Sequence, residues 1–87
     1  MIDDDTIREV LLRYAERRGA NKTFCPSEAA RALAKDWRPL MSEVRRVAAR
    51  MVEEGILVCT QRGEVAHPLL SRGAIRLKLA AADQGGA

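Results

Sequence analysis

Eighty-seven residues with 47% apolar content make one small domain and argue against a disordered chain. No apolar stretch approaches the roughly 20 residues of a membrane span, and the acidic MIDDD start lacks the basic-then-apolar layout of a signal peptide. The formal net charge of +3 is modest, and two cysteines without such a leader set the expectation of a reducing, cytoplasmic location.

Asp3, Asp4 and Asp5 open the first helix, where carboxylates cap free amides and oppose the helix dipole. Ile7, Val10, Leu11 and Tyr14 follow at i, i+3, i+4, i+7, and Gly19 is a natural stop, so the spacing predicts a helix over about residues 4–18. Residues 20–25 form a connector in which Lys22–Cys25 suits a very short strand. Pro26 fits a first helical position and Glu28 a third, with Cys25 or Ser27 as the cap. That second helix is expected to reach about Lys35. Asp36-Trp37-Arg38-Pro39 reads as a turn, since the residue before a proline avoids the α region.

A third helix begins just beyond Pro39, with Leu40, Val44, Val47, Ala48 and Met51 as its inner face and Gly55 as its end. The apolar period then changes to two. Ile56–Gln61 is a strand, Arg62-Gly63 a turn, and Glu64–Ala66 the start of a return. Residues 67–73 form a loop around Pro68, and 74–79 alternate as a further strand. The expected class is α+β, a winged helix-turn-helix of three helices followed by a C-terminal β-hairpin wing. Residues 1–79 form that domain and 80–87 a flexible tail.

The segments Cys25-Pro26-Ser27-Glu28, Ala30-Arg31, Asp36-Trp37-Arg38-Pro39-Leu40-Met41 and Ile75-Arg76-Leu77 resemble those of a group of small, uncharacterised bacterial winged-helix-like proteins, classed as a domain of unknown function. The likeness covers about residues 4–79. It implies the fold and a bacterial cytoplasmic setting, and it implies no activity.

Charge is unevenly placed. Residues 1–21 carry four arginines against five acids, residues 31–50 six bases against two acids, and residues 56–79 four bases against Glu64 alone. Twelve of the fifteen bases are arginine, the better side chain for bidentate phosphate and guanine contacts, although a GC-rich genome produces the same bias. On the third helix, Ser42, Arg46, Ala49 and Glu53 lie opposite the inner face, with Arg45 and Arg50 on the shoulders. A helix-turn-helix reader brings the early residues of its second helix to the major groove, which selects Ser42, Arg45 and Arg46. Arg50 is placed to reach a phosphate, and Arg62 at the hairpin tip to reach the backbone or minor groove. Arg31, Lys35 and Arg38 add non-specific phosphate contacts. A solvated face balanced by Glu43, Glu53 and Glu54 accounts for the same residues.

The expected function is therefore double-stranded DNA binding by a transcriptional regulator or accessory factor, with a homodimer or protein partner allowed. The alternative is a protein-interaction adaptor on the same scaffold. A continuous positive face favours DNA, and a face broken by Glu43 and Glu53 favours protein. Trp37 is expected to plug the edge of the core. Cys25, Cys59 and His67 lack the spacing of a metal site, and no catalytic set is recognisable, so neither a cofactor, a metal nor an enzymatic activity is expected.

Overall fold

A computed structural model describes residues 2–19 and 21–80. The expected tail at 80–87 lies outside the described residues from 81 onward. Helix α1 spans Asp4–Arg18, and Asp3 caps it by accepting from the Thr6 amide at 2.9 Å. The Thr6 hydroxyl first, and this amide bond second, hold the Asp3 carboxyl below its ordinary range. Ile7, Leu11 and Ala15 are the buried stripe, whereas Val10 and Tyr14 are only half-buried.

Helix α2 spans Pro26–Leu33. Its cap is Cys25, whose amide donates to Glu28 Oε2 at 2.9 Å. Arg18 approaches the other Glu28 oxygen and also donates to the Thr23 carbonyl at 3.0 Å. Burial alone would raise the Glu28 carboxyl, but the Cys25 amide and the Arg18 charge outweigh it and the net shift is downward. The helix ends two residues before Lys35, because Ala34 is fully extended at φ −157°.

Pro39 does not act as the expected break. Arg38–Leu40 form a 3-10 turn running directly into helix α3, Met41–Glu53. A proline is tolerated there because the first turn of a helix has no use for its missing N–H. The end of α3 is a Schellman closure: Gly55 (φ +81°) donates to the Val52 carbonyl at 3.0 Å and Ile56 to the Met51 carbonyl at 2.9 Å.

Strands β1 (Leu57–Gln61), β2 (Glu64–Val65) and β3 (Arg76–Leu79) form one antiparallel sheet in the order β2-β1-β3. Between β1 and β2 both turn residues have positive φ, Arg62 at +54° and Gly63 at +82°, the pattern of a tight type I′ hairpin. The last strand pairs with β1 and not with β2, so a ten-residue loop, 66–75, crosses between them. The outer edge of β3 meets the α1–α2 connector, where Phe24 and Leu77 exchange two backbone hydrogen bonds of 2.8 Å each.

One cluster forms the core. Ile7 and Leu11 of α1, Ala29 and Ala30 of α2, and Val44 and Met51 of α3 pack against Phe24, Leu57 and Leu77. Trp37 is half-buried against its edge. Cys59 is buried, and burial pushes its thiol up. No helix among the described residues is long and apolar enough to cross a membrane.

Candidate interaction surface

Helix α3 places Arg45 and Arg46 about 100° apart around its axis. Arg45 faces the 66–75 loop. Its Nε donates to the Pro68 carbonyl at 2.7 Å, Nη1 to Gly73 at 3.0 Å and Nη2 to Ser71 at 2.6 Å. One guanidinium thus gathers three carbonyls of a six-residue stretch, a task its rigid fork suits. Gln61 adds a bond to the Ala74 carbonyl at 3.2 Å and a second to Arg72. One turn and two turns beyond Arg45 on the same stripe lie Ala49 and Glu53. His67 Nε2 stands 3.5 Å from Glu53 Oε2, and Ala49 is 2% exposed. The expected open position of Ala49 is therefore corrected: the loop lies along this stripe of α3 and the methyl group is core.

Arg46 faces the other way. It makes a bidentate pair with Asp4 at the start of α1, at 3.0 and 2.6 Å, and also contacts Glu43 at 2.7 Å. The Arg46 hydrogen bond is the main reason that Asp4 is held below the usual carboxylate range, and the nearby Arg50 charge adds to it. The same two carboxylates raise Arg46 further above its already high value. Ser42 is exposed between these flanks, and Arg50 is exposed one turn beyond Arg46 on its side of the helix, beside Glu43 and Glu54.

The other arginines selected from the sequence are scattered. Arg31 and Arg38 both stand over the Trp37 ring, their guanidinium carbons 4.6 and 4.8 Å from its centroid. Arg62 projects at the β1–β2 turn. The structure thus brings Arg31 and Arg38 together on Trp37. It separates Arg45 from Arg46 and commits each to a partner within the chain. Cys25 caps α2, Cys59 lies in the sheet, and His67 sits by Glu53.

Two features had no counterpart in the sequence reading. Leu69 and Leu70 are 54% and 81% exposed on the segment that Arg45 and Gln61 fasten, and Val65 of β2 is 86% exposed. A Leu-Leu pair inside a polar loop was the available signal. The second feature is a groove of about 940 Å³ between the N-terminal segment and the α2–α3 turn. Its apolar lining includes Ile2, Ala34, Pro39 and Leu40. Asp3, Asp4, Asp36 and Glu43 also line it, with Arg46 as the one base among the described residues.

These features define a small α+β domain whose third helix is engaged on two sides by its own chain, leaving apolar side chains exposed on the adjoining loop. The chain belongs to the family of proteins of unknown function designated DUF3253, whose model matches residues 4–80. Comparison with curated proteins finds no match.

Proposed function

We propose that the chain is a cytoplasmic protein-interaction adaptor on a winged-helix scaffold, and that its wing, residues 62–75, is the docking element. The observation that carries this is the Arg45 clamp: a fastened loop presents Leu69 and Leu70 to solvent, next to exposed Val65 of β2. Exposed aliphatic side chains on a pre-ordered segment bind at lower entropic cost than on a loose one. The outer side of α3 mixes Glu43, Glu53 and Glu54 with Arg46 and Arg50, an unfavourable face for a phosphate backbone. The test is photo-crosslinking in cells from a benzophenone side chain at position 70, with exposed position 16 on α1 as control. A protein adduct specific to position 70 is the expected result. Equal adducts at both positions, or none, would refute it.

A second reading, double-stranded DNA binding by a transcriptional regulator, is favoured by one observation. Arg50 and Arg62 are exposed, and Arg31 and Arg38 lie on Trp37, with no carboxylate partner for any of the four among the described residues. Binding to random duplex at two salt concentrations, wild type against Arg50→Ala and Arg62→Ala, tests it. Salt-dependent affinity that both substitutions weaken would support this reading over the first.

A further inference from the structure

The wing and the groove are complementary to each other. The wing carries exposed Val65, Leu69 and Leu70 flanked by two exposed guanidiniums, Arg62 and Arg72, against one carboxylate, Glu64. The groove offers Ile2, Pro39 and Leu40 among four carboxylates with one guanidinium, and Arg46 is already shared between two of those carboxylates. The Thr6 hydroxyl and amide lower the Asp3 carboxyl, and Arg46 lowers that of Asp4. Within one molecule the two surfaces do not meet. Arg45 fastens the wing to one flank of α3, while Arg46 and Asp4 mark the groove on the other.

We infer that the wing of one copy docks into the acidic apolar groove of a second copy, so that the protein self-associates head to tail. This rests on the proposal above that the wing is a docking surface, and it names the occupant. Leu69 and Leu70 enter between Ile2, Pro39 and Leu40, and Arg62 and Arg72 approach the rim acids. The contact uses different patches on the two molecules, so it is heterologous. Each copy keeps a free wing or a free groove, and association continues into an open series or closes as a ring. A single contact of this kind falls in the small, weak class of interfaces.

Sedimentation equilibrium of the full chain tests this, at low ionic strength up to roughly 1 mM protein. The weight-average mass of the wild type is expected to rise past the dimer value. It should fall back in about 1 M salt, where screening acts within about 3 Å. Leu70→Asp alters only the wing, and Asp36→Arg with Glu43→Arg alters only the groove. Each variant alone is expected to stay monomeric. Their equimolar mixture should form a dimer and stop there, because it holds one intact wing and one intact groove per pair. Circular dichroism matching the wild type confirms that both variants are folded. A monomeric wild type, a closed two-fold dimer, a variant that keeps the wild-type mass, or a mixture that stays monomeric would each overturn the inference. If the wild type is monomeric while position 70 still crosslinks a different protein, the wing remains a docking surface and only its assignment to a second copy falls.

Discussion

Replacing Arg45 with alanine removes three charge-assisted hydrogen bonds to the Pro68, Ser71 and Gly73 carbonyls. Bonds to a charged donor contribute roughly 1.5–3 kcal/mol each when taken singly. Arg45 is half-buried and the bond to Gly73 is exposed, so water replaces much of what is lost. A net cost of about 2 kcal/mol follows, and in a domain of this size that lowers Tm by about 10 °C. Arg45→Lys should recover at most about half, because one ammonium cannot span three carbonyls in a fixed fork. The local effect is more telling than the global one. The Ser71 amide, bonded to the His67 carbonyl at 2.9 Å, and the His67 amide, bonded to Ser71 Oγ at 3.1 Å, should lose exchange protection well ahead of α1. Thermal melts and residue-resolved hydrogen exchange read these quantities. An Arg45→Ala protein with unchanged Tm and unchanged loop protection would refute the clamp and return Arg45 to the role of a surface base.

Three further outcomes are expected. The Asp4 and Glu28 carboxyls titrate below their ordinary values of 3.8 and 4.5, so their ion pairs contribute stability above that range and lose it as pH falls through the lowered values. The urea midpoint should therefore decline from about pH 5 downward and less steeply in Asp4→Asn, whereas a midpoint flat into strong acid would contradict the pairing. At the β1–β2 turn, Arg62→Asn should stabilise by about 0.5 kcal/mol, since Asn tolerates positive φ better than Arg, while Gly63→Ala should cost about 1 kcal/mol by conformation alone because no atom crowds its Cβ. Leu77→Ala, at a fully buried site bonded to Phe24, should cost about 3 kcal/mol in chemical denaturation, with a loss under 1 kcal/mol counting against the core assignment.

What was legible in the sequence is what is local. The Asp3 cap, the Gly19 and Gly55 stops, the Arg62-Gly63 turn and the switch to period two all depend on residues within a few positions, and each stands where the pattern put it. The hidden part is long-range. Arg46 reads as a free base on the outer face of a helix, yet its partner is Asp4, 42 positions away. Arg45 reads the same way, yet its carbonyl partners lie 23 to 28 positions on, and carbonyls carry no sequence signal. Ala49 reads as an outer position because helical periodicity fixes the turn of the helix but not what a later loop covers. Tyr14, expected on the apolar stripe of α1, is only half-buried for a similar reason: which edge of that stripe is deepest depends on α3 and β3.

The Phe24–Leu77 bridge also orders events in time. An eight-residue α2 is marginal as an isolated helix, and the apolar face it shares with α1 has no floor until residues 76–79 arrive. The core is therefore closed only when β3 lies between β1 and the α1–α2 connector, a long-range contact that must follow synthesis of nearly all the described residues. Any pause before that strand holds Ile7, Leu11 and Phe24 open to water, and makes the waiting chain a client for whatever binds exposed aliphatic surface in the cell.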